Sequence, residues 1–223
     1  MYEIINGNCL DVLPSLKHLD NPIIVTDPPF NIGYKYDNYA DSMNHADYFC
    51  MLTDVFDSIG CPFVVVHYPE SICELSIRLG KAPDRIASWV YNSNTARQHR
   101  DIAYYGVTPD FRRMTQPYKN PNDKRIKKLI ESGKRGGRLY DWWNVNQVKN
   151  VSKGDINHPC VMPVQVMDYA IGILPGKHTV IDPFVGSGTT GIAAVKAGYD
   201  FVGIDISADY CELARKRIRE YIN

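Results

Sequence analysis

Short, wholly apolar runs alternating with helical patterns constrain this chain more than any other feature. Pro22–Thr26, Pro62–His67, Ile86–Tyr91, Thr179–Asp182 and Tyr199–Ile204 read as strands without the in-out alternation of a half-exposed sheet. Between them, 46–59, 69–79, 162–174, 189–197 and 208–221 carry helical spacing. Ile4-Ile5 opens one more strand, and Leu10, Leu13 and Leu16 follow at helix-like intervals. Strands buried on both faces and separated by helices predict an α/β fold, a doubly wound and mostly parallel sheet. The rhythm breaks from Asn92 to Ser152, where Pro117, Pro121 and the glycines at 133, 136 and 137 punctuate the chain and 124–131 reads as a short basic helix. The expected organisation is one domain in two halves, 1–91 and 153–223, separated by a basic segment over 92–152.

Charge sharpens that division. The 223 residues are neutral overall, yet Arg85–Lys153 holds 15 Lys and Arg against 5 Asp and Glu, a net of +10. The flanks hold the remaining 10 against 20, a net of −10. A basic excess sustained over so long a stretch and mixed with aromatic residues points to a polyanionic partner, expected to be nucleic acid. A solvated charged face is the plainer alternative. Six scattered cysteines (9, 50, 61, 73, 160 and 211) form no CxxC pair and have no histidine at metal-ligand spacing, so neither a zinc site nor a disulfide framework is expected. No apolar run reaches the roughly 18 residues of a membrane span. The start, Met1-Tyr2-Glu3-Ile4, lacks a signal-peptide pattern, so a cytoplasmic protein without a metal is expected.

Two segments carry chemistry. Val180–Thr190 reads as a strand, a glycine turn (Gly186-Ser187-Gly188) and a helix start, which lets backbone N–H groups approach a ligand. Alone, such a turn is commonplace. Here a second strand, Phe201–Ile204, follows and ends at Asp205, a carboxylate placed to hold both hydroxyls of a ribose. The lysine of a P-loop is missing, which argues against ATP. The second segment is Thr26-Asp27-Pro28-Pro29-Phe30, at the carboxyl end of a strand, where open α/β sheets bind ligands. It offers a carboxylate, a carbonyl and an aromatic face. Those groups suit an exocyclic amine with two N–H donors on an extruded base. A proline-ended strand with a core phenylalanine is the plainer reading of the tetrapeptide.

Taken together, these segments resemble the S-adenosylmethionine-dependent DNA amino-methyltransferases, the N6-adenine/N4-cytosine family. The tetrapeptide precedes the glycine loop, as in the circularly permuted beta class. Asp182–Ala194 continuing to Phe201–Asp205 is the most specific part of the match. Asn6–Leu13 resembles the family's adenine-binding turn, and Asp141–Asn144 with His158-Pro159 to Pro163 resembles the approach to the cofactor side. The resemblance covers roughly 3–67 and 140–221, about two-thirds of the chain.

The resemblance implies a class I methyltransferase (Rossmann-like) fold and a set of site residues. Asp27 and the Pro28 carbonyl would take the two protons of the target amine, with Pro29 completing the turn and Phe30 stacking on the base. Asn8 and Cys9 would meet the cofactor adenine and Asp205 its ribose. Gly186, Ser187 and Gly188 would approach the methionine half, Asp182 would face its ammonium, and Phe184 and Thr189 complete the set. Asn8 stands where the family usually has Asp, and Cys160-Val161-Met162 stands where it usually has Thr-Gln-Lys. The basic segment would bind double-stranded DNA through Arg97, Arg112, Arg113, Lys124, Arg125, Lys127, Lys128, Lys134, Arg135 and Arg138. Asn94 and Gln98 add side chains suited to base edges. His67 and His158 are expected to be structural, and Trp142 and Trp143 to pack. The implied activity is methylation of adenine N6, because Asp at the first tetrapeptide position goes mostly with adenine. Cytosine N4, an RNA or protein amide substrate, and a non-catalytic DNA-binding relative are the alternatives. Pairing into a homodimer is expected from the small size.

Overall fold

The computed structural model describes residues 1–36, 39–148 and 160–222. In chain order its strands are β1 (Tyr2–Asn6), β2 (Pro22–Thr26), β3 (Phe63–His67), β4 (Arg85–Val90), β5 (His99–Tyr105), β6 (Thr115–Gln116), β7 (Gly137–Arg138), β8 (Trp142–Asn144), β9 (Thr179–Asp182) and β10 (Asp200–Asp205). Eight of them form one sheet in the order β1-β10-β9-β2-β3-β5-β4-β8, and β6 pairs with β7 apart from it. All neighbours in the large sheet are parallel except those of β5, which runs against both β3 and β4.

The apolar runs explain why the sheet is covered on both sides. Along β3, Phe63 and Val65 face one core while Val64 and Val66 face the other. Against Phe63 pack α1 (Cys9–Val12, continued as a 3-10 turn to His18), α2 (His45–Asp57) and α3 (Pro69–Leu79). Against Val64 pack α5 (Val164–Gly172), α6 (Thr189–Lys196) and α7 (Ala208–Ile222). The remaining helix, α4 (Lys124–Glu131), contributes no buried residue. Helices on two faces of a largely parallel sheet are the expected architecture.

The expected basic segment divides in two. Residues 99–105 lie inside the sheet as β5, and 142–144 add β8 at its edge. Of the stretch between them, α4 stands apart from the two cores, while Val107 and Leu139 are buried in one of them with Phe111 and Met114 packed against it. The charge excess hid β5 because its apolar run, Ile102–Tyr105, follows His99, Arg100 and Asp101 directly. Leu10, Leu13 and Leu16 occupy one four-residue helix and a 3-10 turn, since Pro14 enters at the second turn.

Parallel strands bring their carboxyl ends to one edge. There lie Asn6, Asp205, Asp182, Asp27 and His67, in that spatial order. The chain leaves β9 towards β10 and leaves β2 towards β3, so the strand order reverses between them, and a crevice opens at such a point. Antiparallel β5 brings its first residues, His99 and Arg100, to the same edge.

Candidate active site

A cavity of about 280 Å³ occupies this edge. One wall is built by Gly7–Leu10, Gly186 and Asp205–Ser207, the other by Asp27–Phe30 with Tyr34, Tyr36 and Tyr39, and Cys160 and Phe184 also line it. Asn8, Cys9, Phe184, Gly186 and Asp205 therefore meet where the sequence places a cofactor.

Asp205 is anchored at this wall. One carboxylate oxygen accepts the Gly186 N–H and the other the Ser207 N–H, each at 2.9 Å. Asn6 secures the turn by donating to the carbonyls of Asp205 and Ile206. Asn8 caps α1, accepting the Leu10 N–H at 3.0 Å. Burial raises the Cys9 thiol to about 11, so it stays protonated.

Asp182, Ser187, Gly188 and Thr189 lie behind the wall. Asp182 is buried, with one oxygen taking the Thr26 hydroxyl at 2.7 Å and the Phe184 N–H at 3.1 Å. Burial raises its carboxyl to about 6 against the pull of these donors and Thr190. The smallness of Gly188 serves packing. At φ +80° a Cβ there would stand 2.9 Å from the Cα of Ala214 on α7. Arg217, also on α7, donates to the Ser187 carbonyl and holds the loop from below.

The opposite wall is built differently. Asp27 is half-buried in the cavity wall, and its buried Oδ1 has no hydrogen-bond partner among the described residues. Burial raises its carboxyl to about 7. Arg100 draws it down and the neighbouring Asp182 adds to the rise. The proline turn is held by a relay. His67 Nδ1 accepts the Tyr68 N–H, so the ring proton is on Nε2 and is donated to the Tyr48 hydroxyl. That hydroxyl in turn donates to the Pro29 carbonyl at 2.7 Å. Burial, then Arg100 and Arg97, lowers His67 to about 3, so the relay stays neutral. The Pro29 carbonyl is thereby committed, and the main-chain acceptor role expected of the turn falls to Pro28.

Phe30 is only 8% exposed. Its ring stacks on His67 at 4.5 Å, and the Arg100 guanidinium lies 4.6 Å from its centroid. The more accessible aromatic lip of the cavity is Tyr34, 41% exposed. Its loop is fixed by buried Asp41, whose carboxylate takes the N–H groups of Asn31, Ile32 and Tyr34. Asn31, at φ +57°, brackets Met43 with both ends of its amide.

Sequence reasoning missed Arg100, Tyr48, Asp41 and Arg217. The available signal for Arg100 was a cation at the head of an apolar run. For the others the partners lie 7 to 30 residues away, and no local pattern marks them.

The basic residues divide as well. Lys124, Arg125, Lys127 and Lys128 on α4, with Lys134, Arg135, Arg138 and Arg113, are exposed. Arg112 is paired with Asp110, and Arg97 lies 4.2 Å over Tyr68 and 3.6 Å from Glu70. Gln98 closes its own loop, accepting the Ser93 N–H and donating to the carbonyls of Ser93 and Thr95. Trp143 is buried as expected, whereas Trp142 is 41% exposed with Lys119 Nζ 3.8 Å from its ring centroid. His158 and Pro159 lie outside the described residues. Among the described residues there is no group of three or more His, Cys, Asp or Glu able to hold a metal, and no helix long and apolar enough to cross a membrane.

A switch-point crevice with an acidic tip on the second strand and a proline turn opposite defines a class I methyltransferase fold. The match to known sequences is narrower. Residues 65–216 fit the model of the N6/N4 DNA methylases, and the chain belongs to that family. A 104-residue stretch, 44% of this chain and 38% of its relative, is 35% identical to the type II methyltransferase M2.DpnII of Streptococcus pneumoniae, so the match spans well under half of that enzyme. The solved structure of an M1.HpyAVI–SAM complex superposes over 97% of this chain and 100% of its own, with a TM-score of 0.60 at 19% identity. The cytosine-N4-specific PvuII DNA methyltransferase superposes over 99% and 90%, with a TM-score of 0.67 at 14% identity.

Proposed function

We propose that this protein methylates the exocyclic N6 of an extruded adenine in double-stranded DNA, with S-adenosylmethionine as donor. One observation carries the reading: Asp27 Oδ1, a buried acceptor without a partner, on a cavity whose far wall holds Asp205 and Gly186. An acceptor left unsatisfied in a dry wall costs stability, about 1–3 kcal/mol for a neutral group and more for a charged one, which is expected where a ligand completes it.

The residues fit the donor. Asp205 can share its outer lone pairs with a ribose, the open backbone at Gly186 admits close approach, and Asn8 and Cys9 stand where the adenine would lie. Bound there, S-adenosylmethionine supplies an electrophilic methyl group on a sulfonium. The rest belongs to this chain. An aromatic amine is a poor nucleophile because its lone pair is delocalised into the ring. Asp27 and the Pro28 carbonyl each draw one N–H, which favours a pyramidal nitrogen with its lone pair free. As the new N–C bond forms, the S–C bond to the methyl would break with its electron pair left on sulfur as a neutral thioether, the nitrogen would become cationic, and its surplus proton would pass to ionised Asp27. The Tyr48–His67 relay keeps the turn in place, and Phe30 and Tyr34 offer rings to the base. Positioning supplies most of the rate. Exposed Lys and Arg around α4 would meet phosphates.

Asp at the head of the tetrapeptide favours adenine. Cytosine N4 is the second reading, because the PvuII enzyme shares the fold and the amine chemistry is nearly the same. The test incubates the purified protein with labelled S-adenosylmethionine and unmethylated duplex DNA, then separates the nucleosides by mass. N6-methyladenine is expected. N4-methylcytosine would keep the mechanism and overturn the base, and no methylated nucleoside would overturn the proposal.

A further inference from the structure

We propose that Arg100 is a positioning residue that favours the ionised form of Asp27 without using up the carboxylate, so that the acid in the cavity wall can charge and stay free to accept the target amine. The inference rests on the function proposed above and adds a residue to it.

Arg100 is 4% exposed and does not line the cavity. A buried arginine beside a buried carboxylate ordinarily forms a two-pronged ion pair. No such pair within 4 Å joins Arg100 to Asp27, and both Asp27 Oδ1 and Arg100 Nε are without hydrogen-bond partners. The guanidinium is held by aromatic residues instead, at 4.6 Å from the ring of Phe30, 5.2 Å from Trp89, 5.8 Å from Tyr68 and 5.9 Å from Tyr91, with a hydrogen bond to the Tyr91 side chain. Cation–π contacts of this kind retain a charge without carboxylate contact. A fork-like pair would occupy the lone pairs that the amine needs. With no cation at all, a carboxyl in this wall would be protonated at neutral pH and present a donor where an acceptor is required. The aromatic cage provides the charge and withholds the hydrogen bond. Antiparallel β5 makes this possible, because it alone starts at the edge where the parallel strands end.

The other groups acting on this pair do not replace Arg100. Asp182 on β9 opposes ionisation of Asp27. Tyr36 on the loop after β2 and Tyr48 on α2 have hydroxyls raised by burial, so they stay neutral. His67 on β3 is neutral as well, and Cys160, Tyr68 and Tyr91 act on Arg100 in the sense that stabilises its charge. Arg97, beyond Tyr68, is exposed and paired with Glu70.

The experiment compares wild type with Arg100→Met and Arg100→Lys, measuring kcat/KM for methyl transfer against pH. In parallel, the Asp27 carboxyl is titrated by 13C NMR, its resonance assigned with Asp27→Asn. Loss of the cation should move both the acid limb and the carboxyl midpoint up by about one to three pH units. At pH 7 that is roughly a fivefold to several-hundredfold loss of rate, recovered at higher pH, and Arg100→Lys should return both towards wild type. Should Arg100→Met fail to fold, Arg100→Gln removes the charge while keeping a donor. A folded neutral variant whose midpoint and limb stay in place, or whose rate falls equally at every pH, would overturn the proposal. If wild type transfers no methyl group at any pH, the proposed function fails, and the carboxyl titration alone still decides the role of Arg100.

Discussion

Three carboxylates sit at the ends of three neighbouring strands, and the protein treats them in two ways. On the glycine-loop side, Asp182 and Asp205 are held by the chain itself, through Thr26 and Phe184 in one case and Gly186 and Ser207 in the other. On the proline-turn side, Asp27 is less buried than Asp182 and lines the cavity, yet its buried Oδ1 meets no partner among the described residues. Each strand end could have been closed by a nearby hydroxyl or N–H. The two satisfied acids are closed by the chain itself, and the unsatisfied one is left open to a donor from outside, as the proposed function requires. The difference distinguishes acids that build a site from one that works in it.

The strongest way to break this contrast is Asp27→Ala. If Asp27 is the acceptor for the amine, transfer should fall by at least about 10²–10³-fold, while cofactor affinity and DNA binding hold within a few-fold. Labelled-methyl transfer, with binding followed separately, checks it. A variant that methylates normally would return Asp27 to the class of its neighbours.

Stability should diverge next. The Asp27 carboxyl titrates at about 7 in the folded protein, and near 4 in an unfolded chain. The stability it contributes is therefore present in full below pH 4 and is lost as pH rises through 7. Above that, the folded state carries a penalty on the order of 2–4 kcal/mol. Asp27→Asn removes the ionisation and should raise Tm at pH 8 while leaving it nearly unchanged at pH 4. Asp182→Ala should instead lower stability at both, by about 1–3 kcal/mol at pH 4 because it strands the Thr26 hydroxyl and the Phe184 N–H, and by less at pH 8, where the raised carboxyl carries a penalty of its own. Thermal unfolding at the two pH values decides it. A fall for both variants at pH 8 would erase the distinction.

Asp205 tests the satisfied side alone. Asp205→Ala leaves the Gly186 and Ser207 N–H groups without their acceptor and removes the expected ribose partner. Cofactor affinity should weaken by about tenfold to a hundredfold, the loss of a charge-assisted hydrogen bond. Calorimetry with S-adenosylmethionine measures it, and unchanged affinity would detach this wall from the cofactor.

The same contrast explains what the sequence made legible. Asp27, Pro28, Asp182, Gly186 and Asp205 stand at strand ends and in turns, where residue type and spacing speak directly. The parallel sheet followed from apolar runs for the same reason. What a carboxylate is bonded to, however, depends on residues brought in by the topology. Thr26 lies 156 positions from Asp182 and Arg217 lies 30 from Ser187. Arg100 was harder still. It sits in a stretch whose charge suggests a solvated surface, and only the reversal of β5 turns it inward. Gly188 shows a further constraint the sequence did not reveal, since at φ +80° the nearness of Ala214 ties it to helix packing.

The exposed cations supply the mildest test. Arg97 is pinned between Tyr68 and Glu70, whereas Lys127 on α4 is exposed and takes part in no ion pair among the described residues. A phosphate contact releases counterions and carries no sequence information. Lys127→Ala should therefore weaken binding to every duplex alike, by a few-fold at moderate salt, and reduce the slope of log K against log salt by about one. The set of methylated sites should not change, because nothing at the Asp27 wall is touched. Fluorescence anisotropy across a salt series on two unrelated duplexes, with methylation mapped on both, measures these together. An altered set of sites with an unchanged slope would mean that α4 reads bases, and would move specificity from the aromatic-lined cavity out to the helix that stands clear of both cores.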